Sequence, residues 1–115
     1  MSKESKFVKA VTDGTFQEEV VSLSATTPVL VDFWAEWCSP CRALSPIVEE
    51  VAQANAGLLA VTSMNVDENV VRPQEFGIQG IPTLLLFKDG KVVHQMVGYQ
   101  SQGNIQRSID EALGK

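Results

Sequence analysis

Apolar positions along the chain fall into two rhythms. Val29-Leu30-Val31-Asp32-Phe33-Trp34-Ala35 is apolar without alternation, broken only by Asp32. That is the pattern of a strand buried on both faces. Residues 58–66 read the same way, and Phe7-Val8 is a shorter, weaker strand. Residues 83–87 and 92–97 flank Lys88-Asp89-Gly90-Lys91. Asp-Gly accepts the positive dihedrals of a tight hairpin turn, so these two strands should pair antiparallel. Between strands the rhythm lengthens to three and four. Phe16, Val20, Val21 and Leu23 lie on one side of a helix that Thr12 or Asp13 can cap. Ala43, Leu44, Ile47, Val48, Val51 and Ala52 form a second stripe, with Pro40 suited to its first turn and an end near 55–57. Pro46 lies inside it and removes a backbone donor, which predicts a kink. Residues 68–76 form a short helix with Gly77 at its C-terminal turn. Ser101 caps a last helix striped by Ile105, Ile109, Ala112 and Leu113. Helices alternating with strands, followed by a hairpin, define an α/β chain with a mixed central sheet and helices on both faces.

Length and charge narrow this picture. The 115 residues suit one domain, with 1–6 a loose terminus. A 44 % apolar and 20 % charged composition is that of a globular chain, not a disordered one. No apolar run approaches the ~18 residues of a membrane span. Fourteen acidic against nine basic side chains leave a net charge of −5, which disfavours a nucleic-acid partner. The charged start, Met1-Ser2-Lys3-Glu4-Ser5-Lys6, leads into no apolar stretch, so no export signal is read and a cytoplasmic location is expected, or an organellar one after processing.

Chemistry enters with Cys38 and Cys41, the only two cysteines. A disulfide between them closes nearly the shortest loop possible, a poor staple. A structural zinc site wants four ligands and this pair supplies two, with His94 the only histidine. A redox dithiol is the reading that fits best, with metal binding between two copies left open. A strand runs into Cys38 at a helix start, where amides lack partners and the dipole is positive. The thiolate of Cys38 is favoured there, so its pKa should fall below the free value of ~8.5. Cys41, one turn further in, should be more shielded. Cys38 is therefore expected to attack a partner disulfide and Cys41 to resolve the mixed disulfide.

Asp32 sits within the most apolar strand, where burial should raise its pKa. Near Cys41 it could take and return the proton that the resolving thiol loses. Trp34 is expected in the core and Trp37 partly exposed in the loop before Cys38. Ile81-Pro82 precedes a strand, and a cis bond there would present the Ile81 backbone to an extended peptide. His94 is read as a surface residue.

Together these residues carry a resemblance. Val29 to Arg42, with Trp37-Cys38-Ser39-Pro40-Cys41-Arg42 at its end, closely resembles the active-site segment of the thioredoxin family. Gly80-Ile81-Pro82-Thr83-Leu84-Leu85-Leu86-Phe87-Lys88-Asp89-Gly90 resembles that family's second signature. The resemblance extends from about Phe7 to the C-terminus. It implies about five strands in a mixed sheet with about four helices, and reduction of protein disulfides with electrons returned by a thioredoxin reductase. The working group is the Cys38–Cys41 pair, without metal or other cofactor. It also implies that Cys38 attacks, Cys41 resolves and Asp32 is the buried acid. Trp37, Ile81, Pro82 and Gly98 match positions around the substrate groove, and Pro82 matches the family's cis-proline.

Three residues depart from the family pattern. Ser39 stands where Gly is usual between the cysteines, and Ser39-Pro40 tunes the couple. Arg42 replaces a Lys, exchanging a point charge for a fork. Ser63 replaces a Lys beside the buried acid, in Ser63-Met64-Asn65-Val66-Asp67. Losing that cation should leave Asp32 protonated to higher pH and shift the pH dependence of resolution. Two alternatives stay open: an oxidase or isomerase on the same fold, and a non-catalytic binding subunit of a larger assembly.

Overall fold

A computed structural model describes residues 5–115 of the chain. The strands are β1 (Val8–Ala10), β2 (Val29–Trp34), β3 (Ala60–Asn65), β4 (Thr83–Lys88) and β5 (Lys91–Val97). They form one sheet in the order β1-β3-β2-β4-β5. β1 and β2 run parallel to β3, while β4 runs antiparallel to both β2 and β5. The sheet is thus mixed and five-stranded, with β2 at its centre. Every residue of β2 is buried, as its unbroken apolar pattern requires.

The two faces of the sheet are covered by different helices. Leu30, Val61, Leu84, Leu86 and Met96 pack with Leu44, Val48 and Val51 of α1 (Ser39–Ala54) and with Ile105 and Ile109 of α3 (Gln102–Ala112). On the other face Val29, Val31, Phe33, Met64, Leu85 and Phe87 pack with Phe16 and Val20. There Phe16, Phe76 and Phe87 form an aromatic trio with ring centroids 5.3–5.6 Å apart. Gln17–Ser22 is a π-helix that runs on into a 3-10 turn, Leu23–Ala25. With α1, α2 (Val71–Glu75) and α3, this makes four helical segments among the described residues.

Several boundaries differ from the sequence expectation, each for a physical reason. Thr12 and Asp13 do not cap the first helical segment, which starts after Phe16 with no side-chain cap. Thr12 instead closes a turn with Thr15. Asp13 accepts hydrogen bonds from the Val71 and Arg72 amides, at 3.1 and 2.9 Å. It therefore caps α2 from a distant part of the chain, and α2 begins at Val71 rather than residue 68. Glu68 and Asn69 stay in the preceding loop, where Asn69 bonds the Asn65 carbonyl and the Asp13 amide. β3 starts at Ala60 because Leu58 lies exposed in a turn that bonds back to Asn55. α1 continues through Pro46 to Ala54.

Other local signals agree with the structure. Asp89 and Gly90 carry φ of 53° and 79°, the mirror-image turn that suits a two-residue hairpin. Ser24 holds this turn through its carbonyl and hydroxyl, each 2.8 Å from an amide of Asp89 or Gly90. Ser101 caps α3 by accepting from the Asn104 amide. The expected loose terminus lies outside the described residues for 1–4. Ser5 is tied to the Glu49 carboxylate of α1 and to the Val8 carbonyl.

Removing the Asp13 carboxylate strands two amides at the start of α2. Asp13→Ala should lower stability by about 1–2 kcal/mol, the cost of losing an N-cap. Urea unfolding checks this, and hydrogen exchange should quicken at the Val71 and Arg72 amides. Unchanged stability and exchange would contradict the cap.

Candidate active site

β2 leads directly into the site. After Trp34 and Ala35, the Glu36-Trp37 loop delivers the chain to Cys38, the N-cap residue of α1. Cys38 is extended (φ −88°, ψ 105°), so its Sγ turns back over the first helical turn and accepts the Cys41 amide at 3.2 Å. Pro40 occupies the first turn, where its missing amide costs nothing. Cys38 and Cys41 are joined in a disulfide, with Cα atoms 5.2 Å apart. Both are buried, packed with Trp34 and Ala35, while Val66 and Ile81 close the cluster. Ser39 and Arg42 are exposed. Arg42 donates through Nη1 to the Glu36 carbonyl at 2.7 Å, which braces the loop against the helix.

Asp32 lies one residue pair before this loop. Alternation along β2 puts it on the same face as Leu30 and Trp34. Leu30 packs under Leu44 and Val48 of α1, and Trp34 packs against the two cysteines. Asp32 is therefore held beneath the first turns of α1, 1 % exposed. Its register neighbour on β3 is Ser63, equally buried. Desolvation pushes its pKa up from 3.8 to about 7.

A groove of about 140 Å³ lies beside the disulfide, lined by Trp37, Ile81, Val66, Pro73, Ile78 and Gln79. Trp37 is 68 % exposed and forms an open wall. Of the residues expected around a groove, Trp37 and Ile81 line it. Pro82 is buried behind it, with the Ile81-Pro82 bond cis. Gly98 stands further out, its amide donating to the Pro82 carbonyl at 2.8 Å. Its φ of +90° is what makes Gly suitable there, since an added Cβ would meet nothing within 4 Å. Val66, Pro73, Ile78 and Gln79 join the groove without having been expected there. The one signal in the sequence is a pair of apolar residues, Ile78 and Ile81, outside any periodic element.

Among the described residues no group of three or more His, Cys, Asp or Glu could hold a metal ion. Nor is any helix there long and apolar enough to cross a membrane.

A disulfide spanning one turn at a helix N-terminus, with a buried acid below and an apolar groove beside it, defines a thiol–disulfide oxidoreductase. The thioredoxin family model matches residues 7–111. Thioredoxin from Alicyclobacillus acidocaldarius is 45 % identical over 103 residues, covering 90 % of this chain and 95 % of that one. Thioredoxin from Pseudomonas aeruginosa is 45 % identical over 106 residues, covering 92 % and 96 %. Thioredoxin from Rickettsia bellii is 48 % identical over 103 residues, covering 90 % and 96 %. This chain belongs to the thioredoxin family, and its activity is that of a thioredoxin-type disulfide reductase.

The Asp32 pKa makes stability depend on pH. Between about pH 4 and pH 7 the folded chain binds more protons at Asp32 than the unfolded chain does. Stability therefore falls as pH rises through that window. Asp32→Asn removes the ionisation, so the variant should be the more stable protein above pH 7. The gain should be on the order of 4 kcal/mol, since each pKa unit is worth about 1.4. The difference should vanish near pH 3.5. Denaturant unfolding across pH measures it, and parallel curves for the two proteins would contradict the buried acid.

Proposed function

We propose that Cys38 is the attacking sulfur, Cys41 the resolving sulfur and Asp32 the acid and base that serves Cys41. The observation that carries this reading is the position of Cys38 at the N-cap of α1, where its sulfur accepts the Cys41 amide. The helix N-terminus favours the anionic form of a sulfur held there. In the reduced protein, the Cys38 thiolate attacks a target disulfide. One target sulfur leaves as a thiolate and the other is captured in a mixed disulfide. Cys41 then gives its proton to Asp32 and attacks Cys38 Sγ. The second target sulfur leaves, and the Cys38–Cys41 disulfide forms. Two electrons have passed to the target. An acid whose pKa lies near 7 is suited to taking and returning that proton at neutral pH.

The groove gives the target somewhere to lie. Trp37 and Ile81 offer apolar contact next to the sulfurs, and Pro82 and Gly98 shape the backbone behind Ile81. An extended segment of the target fits such a surface. Ser39 and Pro40 set the geometry of the turn between the sulfurs, and Arg42 holds the loop that carries Trp37. Ser63 leaves Asp32 without a cationic neighbour on β3. The cysteine pair is the whole redox unit, with no added cofactor. A thioredoxin reductase returns the electrons, and the chain works as a single domain, a monomer, in the cytoplasm.

Replacing the resolving sulfur should stall the cycle at its intermediate. Cys41→Ser is expected to accumulate mixed disulfides with oxidised target proteins, seen as reducible adducts on a gel. Cys38→Ser should leave few. Equal trapping by both variants would reverse or abolish the assignment.

A further inference from the structure

Two buried polar atoms have no hydrogen-bond partner among the described residues: Asp32 Oδ1 and Ser63 Oγ. They belong to neighbouring residues. Asp32 and Ser63 are register partners on the parallel strands β2 and β3, so their side chains leave the sheet side by side on one face. Buried polar atoms are nearly always satisfied, by protein or by ordered water. Two adjacent atoms without protein partners therefore point to water, and the shape of the molecule agrees. Ser63 forms part of the lining of a cavity of about 240 Å³. Trp34 and Asn65 flank it, while Thr12, Glu36 and Glu68 are exposed at its rim. At roughly 30 Å³ per molecule there is room for a short chain of waters. The cavity extends from these exposed residues inward to Ser63.

The location of this cavity matters for the reaction. It shares no lining residue with the groove beside the disulfide. A target lying against Trp37 and Ile81 covers that groove during the mixed-disulfide stage. The buried acid beneath α1 then needs another route to exchange its proton with solvent.

We propose that the cavity beside β1 and β3 is a hydrated proton path for Asp32, with the Ser63 hydroxyl as the relay at its inner end. This rests on Asp32 serving as acid and base for Cys41. A hydroxyl accepts and donates at once. The Cys41 proton goes to the Asp32 carboxylate. Asp32 passes it to Ser63 Oγ through a bridging water, since the two side chains are not hydrogen-bonded to each other. In the same step the Ser63 hydroxyl releases its own proton to cavity water, so Ser63 ends unchanged. The reverse sequence reloads the acid. Asp32 is the catalytic residue, and Ser63 acts through it.

The test uses the reduced full-length protein mixed with a limiting amount of Ellman's reagent in stopped flow at pH 7. The first nitrothiolate released reports attack by Cys38 and the second reports resolution by Cys41. Asp32→Asn should slow only the second phase, by roughly a hundredfold or more, the usual effect of losing an acid–base group. Ser63→Ala preserves size and should slow the second phase by about tenfold, a smaller share of that effect. Ser63→Thr keeps the hydroxyl and should retain the parent rate. Added imidazole, which can enter the cavity and carry protons, should restore Ser63→Ala but not Asp32→Asn. A Ser63→Ala protein as fast as the parent, or slow and indifferent to imidazole, overturns the path while leaving the role of Asp32 standing. A second phase unaffected by Asp32→Asn overturns that role itself.

Discussion

Everything at the active site depends on burial of β2 on both faces. Its odd-numbered residues, Val29, Val31 and Phe33, enter one core, while on the other face Leu30 enters a second core and Trp34 packs against the two cysteines. A strand held from both sides cannot shift by one residue without moving every side chain to the wrong face. Its end is therefore fixed, and so is the start of α1 a few residues after Ala35. Cys38 inherits its place at the helix N-terminus from that register. Asp32 inherits its burial from the same register, because it occupies the one position between Leu30 and Trp34.

This arrangement sets two electrostatic effects against each other within a few residues. The first turn of α1 offers a positive dipole end and the Cys41 amide to sulfur. Beneath it, desolvation opposes negative charge on Asp32 and holds the acid near neutrality. One environment favours an anion and the other a proton. The proposed dithiol cycle uses both, with one sulfur ready to attack and the other giving up its proton. The disulfide itself closes too short a loop to contribute much to stability, so its place in the fold is chemical.

What the sequence discloses divides along the distance over which contacts act. The burial of β2, the Asp89-Gly90 turn and the Ser101 cap depend on neighbours in the chain and can be read directly. The closeness of Cys38 to Cys41 and the burial of Asp32 are legible because strand, cysteines and helix are contiguous. Asp13 misleads because its partners, the Val71 and Arg72 amides, lie far along the chain. A cap supplied from a distance looks locally like a cap for the next helix. The far wall of the groove is hidden for the same reason. Val66 comes from the turn after β3, Pro73 from α2 and Ile78 from a loop, and only the fold brings them to Trp37. The π-helical form of Gln17–Ser22 is not legible either, because Phe16, Val20 and Val21 are spaced as an α-helix would space them.

The most direct test of the central claim is the reduction potential of the Cys38–Cys41 couple. It can be measured by equilibrating the protein in defined thiol–disulfide buffers and monitoring fluorescence from Trp34 and Trp37, which flank the pair. A value near about −270 mV is predicted, that of a couple which gives electrons to target disulfides. A value between about −180 and −120 mV, the range of isomerases and strong oxidants, would contradict it: the fold would stand and electrons would flow the other way.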